Sequence, residues 1–333
     1  MKYSRKLSYY PIVVGGILLG LLPLLGVGTY ILYVLVIVFI FGMLAVSWDL
    51  LAGYAGQLSF GQAGYFGLGA YGAVLLVKYT TVPAWLSLVL GPIISMVFGL
   101  SVAIPCLRLK GPYLSLTTLA FAEVLRVVTQ SWVNFTGGPL GLSGYRTLEW
   151  IPITREAFYY IGLILLFLVL VVSVFLINSH IGIRFMAIRD DDILASSIGY
   201  DTTRYKIIAF VLSAAIAGVA GSFYGLYILV ISPLVFDISI TVLAISMVII
   251  GGKGTIFGPV IGAFLVQFFS EYFRSFGGYR LFLVGIVTIL MVLFFPGGVW
   301  NMMIQLWTKL SKSLKPSKKL DLTSEAQIRR KEG

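Results

Sequence analysis

Of 333 residues, 59% are hydrophobic and 11% charged, and the mean hydropathy is +0.99. Soluble domains carry roughly 25% charged residues, so the composition excludes a soluble domain and leaves a lipid-embedded one. The net charge of +11 is concentrated at Lys2, Arg5 and Lys6 and in a tail holding Lys309, Lys312, Lys315, Lys318, Lys319, Arg329, Arg330 and Lys331, which fits anchoring at a cytoplasmic face rather than nucleic-acid binding. One cysteine, Cys106, excludes an internal disulfide. One histidine, His180, cannot build a metal site of typical ligand spacing.

A membrane-crossing helix needs about 20 apolar residues. Ten stretches approach that: 11–29, 31–52, 63–80, 84–107, 113–133, 157–177, 206–230, 238–251, 256–273 and 279–300. The expected fold class is an all-α polytopic integral membrane protein of about ten transmembrane helices, some short or broken. A basic start followed by an apolar run also describes a signal peptide. Here a second apolar run follows at once, with no clear cleavage site, so the first is read as an uncleaved span. With the N-terminus inside and strict alternation, the inner side collects Lys2, Arg5, Lys6, Arg108, Lys110, Arg184, Arg189, Arg204, Lys206, Lys253 and the eight basic tail residues. The outer side receives Lys78, Arg146, Arg155, Arg274 and Arg280. This asymmetry predicts both termini in the cytoplasm. The chain divides into a membrane-embedded domain, 1–308, with an inner loop at 178–205, and a basic tail, 309–333, whose Lys-, Ser- and Pro-rich composition predicts disorder.

Between the second and third spans, GYAGQLSFGQAGYFGLGAYGAVLL (53–76) holds seven glycines. Gly67, Gly69 and Gly72 match G-x-G-x-x-G, but no Asp or Glu lies between Asp49 and Glu123, so the acidic partner of a dinucleotide fold is missing. Two readings remain open. Ala63/Gly67 and Gly69/Ala73 suit close helix–helix contact. Alternatively, Gly53, Gly56 and Gly61 break the helix, and Gln57, Ser59 and Gln62 stand on irregular backbone. Such backbone is tolerated at membrane depth only inside protein or along a wet cavity, and broken helices often mark a translocation path.

The fifth span carries Glu123 and Arg126, three residues apart and on one helix face. Charges there are costly unless paired or hydrated. The pair either neutralises itself and fixes packing, or lines the path. Asn134 and Thr136, with Gly137 and Gly138, follow at the outer end as a substrate mouth or a plain turn. In the inner loop, Asp190 or Asp191 is placed to cap a short helix from Asp192, Gly199 to end it, and Asp201 to cap the next. Ile193, Leu194 and Ile198 give that helix an apolar side, which has no reason to face water unless it docks. Arg189, Asp190 and Asp191 would rim it. Ala217, Gly221 and Gly225 form a smooth ridge on the seventh span. Glycine punctuation returns at 251–258, where Gly252-Lys253-Gly254-Thr255 lacks the ending and upstream spacing of a P-loop.

DLLAGYAGQLSFGQAGYFGLGAY from Asp49, KGPYLSLTTLAFAEVLRVV (110–128), TGGPLGLSG (136–144), IGIRFMAIRDDDILASSIGYD (181–201) with AFVLSAAIAGVAGSFYG after it, and GGKGTIFGPVIGAFL (251–265) occur in that order. Together they resemble the permease subunits of ATP-binding cassette (ABC) transporters for branched-chain amino acids, of the LivM type. Two places depart from that pattern: Asp49, where asparagine is expected, and FFPGGVW near residue 297, where a more basic run is expected. The resemblance implies a multi-pass inner-membrane transport subunit without cofactor or enzymatic activity, carrying leucine, isoleucine and valine. It implies a second homologous permease, two ATPase subunits engaged through the loop 178–205, and an extracytoplasmic solute-binding protein. Urea permeases resemble the same motifs, so urea or a short amide stays open as cargo. A stand-alone ion-coupled carrier or channel stays open as a different class.

Overall fold

A computed structural model describes residues 10–26, 28–106, 109, 111–145, 155–294 and 297–304. The basic N-terminal residues and the tail 309–333, with its expected disorder, lie outside the described residues. The chain is mostly helical: α1 (Tyr10–Leu21), α2 (Thr29–Trp48), α3 (Gln62–Tyr79), α4 (Ala84–Cys106), α5 (Pro112–Ser131), α6 (Val133–Thr136), α7 (Arg155–Asn178), α8 (His180–Asp190), α9 (Asp192–Ser197), α10 (Thr202–Ile228), α11 (Ile238–Gly251), α12 (Gly258–Tyr272) and α13 (Arg280–Phe294). Two short strands, β1 (Leu142–Ser143) and β2 (Val230–Ile231), pair antiparallel; the sequence reading did not anticipate them.

Each predicted apolar stretch carries a helix. Among the described residues, four runs are long and apolar enough to cross a membrane: Thr29–Tyr54, Ala84–Cys106, Glu156–Asn178 and Thr202–Ile228. The first predicted span, 11–29, is not one continuous helix. It stops at Leu21, a 3-10 turn runs over Pro23–Leu25, and Gly26 follows at φ +69°. Proline has no amide proton to continue the α-helical ladder, and glycine accepts the left-handed turn without steric cost.

α10 packs against α2, α3 and α4, and small residues set the distance. A Cβ at Gly221 would overlap the Phe66 carbonyl of α3, and one at Gly69 would overlap Gly218 of α10. Lipid offers no hydrophobic drive to bring helices together, so close van der Waals approach must do it. Hydroxyls add to the seam: Ser222 donates to the Gly69 carbonyl (3.0 Å) and Ser95 to the Tyr65 carbonyl (2.9 Å). α11 and α12 meet in the same way, with Gly262 against the Met247 carbonyl. Cys106 is buried in this core.

Candidate translocation path and coupling surface

α2 does not end cleanly. It widens into a π-helical turn over Asp49–Tyr54, a form that recurs at functional sites. From Ala55 to Gly61 the backbone is irregular, and Gly56 sits at φ +71°. Backbone groups in such a break must find partners, and α5 with the end of α2 supplies them. Thr118 Oγ1 accepts from the Phe60 N–H (3.0 Å) and Ser115 donates to the Leu58 carbonyl (2.9 Å). Trp48 Nε1 donates to the Ser59 carbonyl at 2.8 Å.

The polar residues of the break separate into two groups. Gln62 is fully buried, and its Nε2 donates to the hydroxyls of Ser47 on α2 and Ser213 on α10, the latter at 2.7 Å. Ser59 is also buried, and its hydroxyl accepts from the Gly61 N–H. Both therefore brace helices within the chain. Gln57 is half-buried and Gly56 exposed. On α5, Glu123 and Arg126 are ion-paired through two hydrogen bonds, with side chains 49% and 27% exposed. At the far end, Asn134 is exposed and its carbonyl accepts from Tyr79 (3.3 Å). Thr136 is buried, and its hydroxyl serves the Thr129 and Trp132 carbonyls. Thr136 therefore ties the turn.

The loop at 178–205 is built from local capping. Ser179 caps α8, accepting from the Ile181 N–H. Asp191 caps α9, with Oδ1 accepting from the Ile193 and Leu194 N–H groups at 2.9 Å each. Gly199 follows at φ +91°, and Asp201 caps α10. Long-range contacts then hold the loop against the bundle. Lys206 pairs with Asp192 at 2.7 Å, and Arg184 lies over the rings of Tyr200 and Tyr205. Held this way, α9 presents Ile193, Leu194 and Ile198 outward, 73%, 61% and 62% exposed. Arg189 and Asp190 pair beside them at 2.8 Å.

One connection escaped sequence reasoning. Arg189 Nη1 also donates to the Gly53 carbonyl at 3.0 Å, and the Arg189 backbone abuts Gly56. The buried Asp49 Oδ1 accepts from the Gly254 N–H at 2.7 Å. The break after α2, the glycine turn between α11 and α12, and the end of α8 thus form one junction. The recurring glycine punctuation and the unexpected Asp49 were the available signals. Among the described residues, no group of three His, Cys, Asp or Glu is placed to hold a metal ion.

Residues 30–295 match the family described as "Branched-chain amino acid transport system / permease component". The chain is 30% identical over 292 residues to the high-affinity branched-chain amino acid transport system permease protein LivM of Escherichia coli (strain K12), covering 79% of this chain and 68% of that protein. It is 29% identical over 180 residues to the probable branched-chain amino acid transport permease protein LivM of Methanocaldococcus jannaschii, covering 53% of this chain and 52% of that one. It is 24% identical over 244 residues to the permease protein LivH of Salmonella typhimurium, covering 68% of this chain and 79% of that one. No solved structure matches it. The apolar bundle, the broken second helix and the matching family over residues 30–295 together mean that this chain belongs to the branched-chain amino acid transport permease family, as a multi-pass inner-membrane transport subunit and not an enzyme.

Proposed function

We propose that this chain is one of two homologous permease subunits of an ABC importer that carries leucine, isoleucine and valine inward. Two ATPase subunits and an extracytoplasmic solute-binding protein complete the machine. The chain crosses the membrane about ten times with both termini in the cytoplasm. The observation that carries the coupling half of this reading is the apolar crown of α9, solvent-facing yet clamped to the bundle. A protein surface with an apolar centre and a charged rim has the composition of a docking patch. Gly56, Gln57, Glu123 and Asn134 are its path-facing residues; Ser59, Gln62 and Thr136 support the path from within.

The test is reconstitution with the partner subunits. Leucine uptake is expected to require ATP and the binding protein. Uptake of urea in place of leucine would move the assignment to the amide permeases. Uptake by this chain alone, driven by an ion gradient, would remove the ABC reading.

Topology is checked separately by cysteine labelling. Leu140→Cys, at a side chain 90% exposed, should react with an impermeant thiol reagent from outside intact cells. Ser196→Cys on α9 should react only after the membrane is opened. The opposite pattern would overturn the orientation.

A further inference from the structure

Ser173 is the one polar side chain between Tyr160 and Asn178 in the apolar run of α7. Serines elsewhere in the bundle turn back on their own helix, as Ser101 does on the Val97 carbonyl (3.1 Å) and Ser246 on the Val242 carbonyl (2.9 Å). Ser173 does not. Its side chain is 1% exposed, and its hydroxyl has no hydrogen-bond partner among the described residues.

Asp49 is in the same condition. It begins the π-helical turn at the end of α2 and is also 1% exposed. The carboxyl lies flat against that turn because Gly53 has no Cβ to collide with it. Oδ1 accepts from the Gly254 N–H at 2.7 Å, but Oδ2 has no partner among the described residues. Arg189, at the same junction, spends Nη1 on the Gly53 carbonyl and Nε and Nη2 on Asp190.

The two side chains line one cavity of about 10 Å³, with Tyr54, Ile177, Thr255 and Pro259 among its other walls. That is room for a single water. Cavities that stay dry are apolar, whereas this one is lined by two residues that each carry an unsatisfied buried oxygen. A buried carboxylate oxygen without a donor is costly. Water can both give and take: it donates to Asp49 Oδ2 and accepts from the Ser173 O–H. Calcium or magnesium collects about six oxygens or more, and Asp49 is the only carboxylate in the cavity wall.

We infer that one buried water bridges Asp49 Oδ2 and Ser173 Oγ and ties α7 to the place where the break after α2 meets the glycine turn before α12. α7 runs on through Asn178 into the loop 178–205. The loop is therefore fastened to the junction at two points: Arg189 holds Gly53 directly, and Ser173 holds Asp49 through water. This assignment is independent of the cargo and of the partner subunits.

The test uses the full-length protein in lipid nanodiscs, with whatever subunits co-purify, and cryo-electron microscopy at a resolution that shows ordered water. The parent map should hold one peak within about 2.7–3.2 Å of both oxygens. In Asp49→Asn the peak should stay, because asparagine keeps an oxygen for the Gly254 N–H and offers the water an N–H to accept from. In Ser173→Ala the peak should disappear, and the unfolding temperature should fall by about 2–4 °C, the scale of one buried hydrogen bond. A parent map with no peak, Ser173 having turned straight onto Asp49 or back on its own helix, would overturn the inference. So would a peak lost in Asp49→Asn, which would mark a cation held by charge. A peak unmoved in Ser173→Ala, or a Ser173→Ala variant as stable as the parent, would remove Ser173 from the bridge and overturn it equally.

Discussion

Replacing Ile193 or Leu194 by aspartate should release the ATPase subunits and bring transport to background. The two side chains are 73% and 61% exposed on α9, so neither holds the fold together. Folding and membrane insertion should survive. Truncating a buried interface anchor commonly costs more than about 2 kcal/mol, roughly a thirtyfold loss of affinity, and a buried unpaired carboxylate adds to that. Pull-down of the ATPases from detergent-solubilised complex reads the loss directly. Asp191→Asn is the control. Its Oδ1 accepts from the Ile193 and Leu194 N–H groups, and asparagine fills the same capping role, so α9 should stay and transport should fall little. Retention of the ATPases by both aspartate variants would reduce this loop to a connector.

Gly56→Leu should abolish transport while leaving the protein in the membrane. Gly56 lies at φ +71°, where an L-residue costs about 1–2 kcal/mol. A Cβ there would also stand 3.0 Å from the Arg189 Cα and 3.0 Å from its Cγ. The Arg189 backbone cannot swing aside as a long side chain would, so α8 must shift from the break after α2. That shift strains the Arg189–Gly53 hydrogen bond, which joins the loop 178–205 to the broken helix. The position itself is exposed, so the buried core from α2 to α10 is untouched and insertion should persist. Expression with wild-type uptake would show that the junction bears no load during transport.

Much of this organisation is local physics and could be read from the sequence. Apolar runs mark the helices because lipid leaves backbone groups no partner but one another. Pro23 and Gly26 are also local signals, although the first span was read through them. Asp191, Gly199 and Asp201 punctuate the inner loop because caps and left-handed stops act over three or four residues. Of the three glycines read as possible helix breakers, Gly56 and Gly61 fall in the irregular stretch, with Gly56 at φ +71°, while Gly53 stays within the π-helical turn. Resemblance of the ordered motifs pointed to the family that residues 30–295 match.

What the sequence could not determine is where a polar side chain in that irregular backbone points. Gln57 and Gln62 look alike on the page, yet Gln62 braces Ser213, 151 residues away, while Gln57 stays half-exposed. Asp49 reaches Gly254 across 205 residues, and the 3-10 turn Pro233–Phe236 is buried against α3 and α5. These pairings depend on which helix faces meet. That is decided by the fit of small-residue ridges, Gly221 on Phe66 and Gly69 on Gly218, between elements far apart in the chain. Hydrophobic periodicity carries no record of such a fit, because in a lipid-embedded bundle both the lipid face and the protein face of a helix are apolar.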